Sequence, residues 1–215
     1  MWQVADGKRV AMMSVGPVLC VAASRNRRWI AAGSKGKVHV WDTTNYSLVL
    51  GDRTRAEDWT DAVDFSLDSI RLVSSNLDGL ATVWDLVARR KIRTLEHSDQ
   101  GVHAARYSPQ GDRIVTATDE SIRVWDSNDS RLLVDINVGV KWGQNILWCK
   151  THFFVLTTNG TIKEINASTG LTVSEWTVPR SQNAGSNIAL VPLHEKFIAH
   201  AAEKAITFWD IMTHT

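Results

Sequence analysis

The 215-residue chain has two cysteines, four prolines and two tyrosines, and its 24 Lys plus Arg against 23 Asp plus Glu leave a formal net charge of +1. Cys20 and Cys149 stand singly among apolar neighbours, which removes a disulfide framework and reads both as small buried hydrophobes. No stretch concentrates one sign of charge over five or six residues, so a general attraction to nucleic acid or to an anionic membrane surface is excluded. Nowhere do 18 apolar residues run together, and Met1 to Gly16 mixes charged and small residues without an apolar block of signal-peptide length. The expectation is a soluble protein of the cytoplasm or nucleus. No amphipathic helical period of ten or more residues is visible. A chain of this length buries roughly 70% of its unfolded surface and needs no staple.

What is present in excess is tryptophan, with 10 residues. Four of them stand in Trp-Asp pairs, at Trp41, Trp84, Trp125 and Trp209, each closing an alternating run: KVHVWD, LATVWD, SIRVWD and AITFWD. The intervals of 43, 41 and 84 residues imply a period near 42 with one hidden repeat ending near Ile165, where Glu164 is read as standing at the Trp position. Trp2 is read as the stub of one more strand. Each period resolves into four short runs between turn residues; in the clearest these are Ala62 to Ser66, Ile70 to Ser75, Leu80 to Trp84 and Lys91 to Leu95. A four-stranded unit cannot cover both its own faces, so successive units must stack.

The runs AVDFSLDSIRLVSSNLDGLATVWD and AARYSPQGDRIVTATDESIRVWD resemble WD40 repeats in strand order, in the hairpin residues Ser108, Pro109 and Gly111, and in the closing Trp-Asp. The resemblance covers nearly the whole chain. It implies an all-β, β-propeller fold of four-stranded antiparallel blades, with five repeats ending near Trp41, Trp84, Trp125, Ile165 and Trp209. It also implies that residues 1–15 supply the outer strand that closes the last blade beside Ala205 to Trp209. Three arrangements stay open: a five-bladed ring closed within the chain, which would be a monomer; a segment of a larger array; and a partial ring that self-associates. The family pattern further implies a structural tetrad at His97, Thr116, Asp119 and Trp125. A histidine between an acid and a hydroxyl imitates a catalytic triad, but here it is read as scaffolding that joins the indole to a buried polar network.

No catalytic, cofactor or metal constellation emerges. Gly33 to Lys37 imitates a phosphate loop, yet Ala31 and Val38 stand where such a loop needs Gly and Ser or Thr, so a hairpin turn is expected. The seven histidines are scattered, and the carboxylates Asp58, Asp61, Asp64 and Asp68 are read as a solvated face. The Asn-x-Ser/Thr triplets at Asn45, Asn128, Asn159 and Asn166 are read as turns.

The function expected from the resemblance is a non-catalytic scaffold that binds a protein or peptide. In this architecture the loops leading into each innermost strand share one face with the tight turns between second and third strands. The candidate contact residues there are Lys35, Asp58, Trp59, Lys141, Trp142, Asn159 and Glu203. Trp59 and Trp142 matter most, because neither occupies the repeat position and exposed aromatics are frequent hot spots. Two alternatives are carried: a glycan-binding five-bladed lectin, which would need an equivalent Trp in every repeat, and a sensor or corepressor segment of a larger signalling protein.

Overall fold

The computed structural model describes residues 8–53, 59–97, 101–138, 146–157, 159–177, 187–190, 197–202 and 205–210. These form five antiparallel sheets in chain order. Blade 1 contains β1 (Val18–Ala23), β2 (Trp29–Ser34), β3 (Lys37–Asp42) and β4 (Leu48–Arg53). Blade 2 contains β5 (Thr60–Phe65), β6 (Arg71–Asn76), β7 (Leu80–Asp85) and β8 (Arg90–Glu96). Blade 3 contains β9 (Ala104–Tyr107), β10 (Arg113–Ala117), β11 (Ser121–Asp126) and β12 (Leu132–Asn137). Blade 4 contains β13 (Ile146–Cys149), β14 (His152–Leu156), β15 (Thr161–Asn166) and β16 (Thr172–Thr177), and blade 5 has three described strands, β17 (Asn187–Leu190), β18 (Phe197–Ala202) and β19 (Ala205–Asp210). Residues 1–7, including Trp2, lie outside the described residues, and within 8–17 only Arg9 makes an isolated bridge. The Gly33 to Lys37 segment is a hairpin turn between β2 and β3, with Gly36 at φ 64°.

The third and fourth strands share one irregularity. A β-bulge falls between Val40 and Trp41, Val83 and Trp84, Val124 and Trp125, and Glu164 and Ile165. The fourth case corrects the sequence reading: Ile165, not Glu164, occupies the Trp position, and its side chain is fully buried. Glu164 instead accepts a hydrogen bond from Ser174 Oγ at 2.6 Å. The residue after each aromatic closes the following turn. Asp85 Oδ1 accepts from the Val87 and Ala88 amides, Asp126 Oδ1 from Asn128 and Asp129, and Asn166 Oδ1 from Ser168 and Thr169. Ile165-Asn166 is therefore a working Trp-Asp pair in different residues. These amide bonds also hold the Asp126 carboxyl below its ordinary range, as the Thr44 hydroxyl and amide do for Asp42. Asn45, Asn159 and Asn166 each accept a backbone amide two residues on, which is turn chemistry.

The hydrophobic core is a series of blade junctions. Val38 and Val40 of β3 pack with Leu72 and Trp84 of blade 2, and Ala81 and Val83 of β7 pack with Ile114 and Trp125 of blade 3. Ile122 and Val124 pack with Phe153 and Ile165, and Ile162 with Ile198 and Trp209. The alternation of each third strand explains this: two residues face the following blade while the closing aromatic faces the preceding one. Arginines at the start of the second strands add a second link. Arg71 Nη1 donates to the Ser127 carbonyl of blade 3 at 3.1 Å, and Arg113 Nη1 to the Ala167 carbonyl of blade 4 at 2.6 Å.

Candidate functional site

One backbone contact recurs at two consecutive junctions. Lys35, in the tight turn of blade 1, forms a β-bridge with Trp59, where the chain passes into β5. The Val102 amide, leading into β9, donates to the Asn76 carbonyl at the blade 2 turn. The tight turns of blades 1 and 2 thus hold the passage into the first strand of the next blade, which puts both loop sets along one rim there. Lys35 is exposed and Trp59 half-buried beside it. Gly101 allows Leu77 to close over the second junction, since a Cβ there would stand 2.9 Å from Leu77 Cδ2. Asn159 is exposed in the blade 4 turn, where its carbonyl oxygen accepts from Thr157 Oγ1. Asp58, Lys141, Trp142 and Glu203 lie outside the described residues.

Of the four tetrad residues, three meet. The Trp125 indole N–H donates to Thr116 Oγ1 at 2.7 Å, and His97 Nε2 lies 2.6 Å from the same oxygen. Burial pushes the His97 pKa down to about 4, so the ring is neutral. Thr116 Oγ1 thus bonds the indole and the imidazole together, with one hydroxyl proton and two lone pairs to serve them. Nδ1 is buried without a hydrogen-bond partner. Asp119 departs from the expected arrangement: its carboxylate is 65% exposed and lies 3.5 Å from His103 Nε2 instead. The reason is electrostatic, because Asp61 holds the other ring nitrogen of His103 at 2.9 Å and strengthens its positive charge. Blade 2 repeats the indole bond alone, from Trp84 Nε1 to Ser74 Oγ at 2.8 Å.

The sequence reading missed the Asp61–His103–Asp119 group. The bond to Asp61, reinforced by Asp119, raises the His103 pKa above its ordinary value despite the opposing loss of solvation. Asp61 and His103 are separated by 42 residues. One period along the chain is one blade around the arc, so residues at like positions become neighbours. The same rule pairs Asp64 with Arg106, while Asp64 Oδ2 also accepts the Tyr107 amide at 2.8 Å. The four carboxylates are therefore not one solvated face: Asp61 and Asp64 bind the neighbouring blade, and Asp68 closes a hairpin through Ser66 and the Ile70 amide. Loss of solvation raises the Asp64 pKa, with Arg106 opposing. Cys20 donates to the Thr60 carbonyl at 3.3 Å, and burial lifts its thiol pKa to about 11, so it is a packing residue and not a nucleophile.

Among the described residues, no group of three or more His, Cys, Asp or Glu side chains is arranged to hold a metal ion, and no helix is long and apolar enough to cross a membrane.

Comparison with known proteins agrees with this architecture. The family model of the WD domain, G-beta repeat, matches residues 9–42 and 89–126. The small ribosomal subunit protein RACK1y of Oryza sativa subsp. japonica is 29% identical over 141 residues, covering 62% of this chain and 40% of that protein. WD repeat-containing protein 18 of Homo sapiens is 23% identical over 195 residues, covering 84% of this chain and 44% of its own length. WD repeat-containing protein 1 of Gallus gallus is 25% identical over 128 residues, 56% of this chain and 20% of that protein. The chain thus spans less than half the length of these relatives. The repeat is matched in sequence at two positions, and the same strand order and bulge recur between and beyond them, so the chain carries WD40 repeats and its four-stranded antiparallel sheets are consistent with β-propeller blades.

Proposed function

We propose that this chain is a non-catalytic scaffold that binds a protein or peptide through the rim formed by its tight turns and inter-blade passages. The observation that carries the reading is the Lys35–Trp59 bridge, which sets a cation beside a half-buried indole outside the repeat pattern. An aromatic held in place by its backbone offers contact area at little entropic cost, the usual character of a binding anchor. The rim is electrically mixed: Lys35 suits an acidic side chain of a partner, while Asp119 and Glu120, both exposed, suit a basic one. WD40-repeat relatives support the scaffold role. Trp142, Lys141, Asp58 and Glu203 belong to the same proposal.

A tagged pull-down tests it. Trp59→Ala combined with Trp142→Ala, and separately Lys35→Glu, should remove a defined subset of partners while thermal unfolding stays close to wild type. An unchanged partner set from well-folded variants would place the binding face elsewhere.

A further inference from the structure

Blades 1, 2 and 3 carry the same hairpin between their first and second strands. It spans five residues in each, 24–28, 66–70 and 108–112. Each opens on a serine, Ser24, Ser66 or Ser108, whose hydroxyl accepts the amide of the first residue of the second strand. Consecutive hairpins touch: the Asn26 amide donates to Ser69 Oγ at 3.3 Å, and a Cβ on Gly111 would stand 3.0 Å from Leu67 Cβ. Blade 4 breaks the series. Cys149 pairs directly with His152, which leaves a two-residue turn, Lys150 and Thr151, with Lys150 in the left-handed region at φ 54°. Beside this shortened turn is a cleft of about 60 Å³, lined by Gln110, Asp112 and Arg113 of blade 3 and by Trp148, Lys150 and Ser168 of blade 4.

Donors dominate the walls of this cleft. Trp148 takes the place that Phe65 and Tyr107 hold in blades 2 and 3, since each pairs with the second-strand residue opposite the closing position. Phe65 and Tyr107 are 7% and 6% exposed, whereas Trp148 is half-buried, and its indole N–H has no acceptor among the described residues. Lys150 is exposed, and among the described residues its ammonium is in no ion pair. The carboxylate in the lining is already engaged, because Asp112 accepts from Ser108 Oγ at 2.8 Å and lies 3.5 Å from Arg113 Nε. An indole N–H and an ammonium can only donate, so the free groups of the cleft call for an anionic acceptor. We propose that the cleft is a binding site for the carboxylate of an Asp or Glu side chain carried by a protein partner. Roughly 10–15 Å³ of such space admits one water, so this cleft takes a carboxylate and little more. A free acid would gain no further contact, whereas a side chain on a partner adds its own surface against the exposed Gln110, Lys150 and Ser168. These hairpins lie at the strand ends opposite the tight turns, so the site is separate from the rim and does not depend on it.

Titration of the isotope-labelled chain with a capped Glu-Gly peptide tests this, followed by calorimetry and at the Trp148 indole cross-peak, which Trp148→Phe identifies by its loss. The Glu peptide should move that cross-peak, and the same peptide with Gln in place of Glu should not. Lys150→Glu should weaken binding about tenfold, as loss of a charge-assisted hydrogen bond does. Lys91→Glu, the same change at an exposed position on β8, should leave it unaltered. A Trp148 signal unmoved by the Glu peptide at about millimolar concentration would overturn the proposal. Equal binding of the Gln peptide, or an affinity indifferent to Lys150→Glu, would overturn it as well. Sodium acetate binding as tightly as the peptide would overturn the assignment to a protein partner. The wild-type titrations decide the matter if a variant fails to fold.

Discussion

Thr116 carries more of blade 3 than its size suggests. Its hydroxyl is fully buried and serves Trp125 and His97 together. Thr116→Val keeps the volume and strands two buried polar groups, an expected loss of about 3 kcal/mol, to be measured by equilibrium denaturant unfolding. His103 predicts a pH effect of opposite sign to His97. Its folded pKa is raised above the 6.5 of an ordinary histidine, so its contribution is complete below 6.5 and is lost as pH rises through the folded value. His97 is depressed to about 4, so its contribution is present above 6.5 and is lost as pH falls toward that value. An NMR titration should find His103 protonating above 6.5, and Asp61→Asn should move it down; a wild-type value at or below 6.5 would refute the assignment. The sequence showed the tetrad types but not the competition for Asp119, because that depends on a carboxylate one period away.

At the scale of the strand, the bulge and the turn cap after each closing aromatic are the conserved geometry within this chain, and side-chain identity is secondary. Blade 4 keeps both with Ile165 and Asn166. Asn166→Ala should cost about 1 kcal/mol, as loss of a side-chain cap on backbone amides does, with the effect read as faster amide exchange at Ser168 and Thr169; unchanged exchange would show that the cap is dispensable. The strands were legible because apolar alternation and turn residues coincide, as in KVHVWD. Placing Glu164 at the Trp position failed for a definite reason: the Ile162, Glu164 alternation matches Val38 and Val40, and the closing residue follows directly across the bulge, on the other face, at Ile165.

Over the whole molecule, the junctions decide what can be read in advance. The blade number, the order of strands and the aromatic positions follow from a period near 42. The pairing of Asp61 with His103, and of Asp64 with Arg106, follows from that same period once repeats are laid side by side, so the information was present but only in register. What sequence does not supply is burial at the end faces. Phe208 and Val40 occupy equivalent places in their strands, and only the presence of a neighbour distinguishes a core residue from an open one.

The second family match, residues 89–126, runs from the outer strand β8 of one blade through β9, β10 and β11 of the next. The unit recognised in sequence is thus shifted by one strand from the sheet it helps to build. Copying or deleting one such unit during replication would leave each interior sheet with its outer strand supplied by the next unit, and each junction with matched apolar faces. Blade number can therefore drift by whole steps without an orphan strand at the splice, and selection on it can act through ring closure alone.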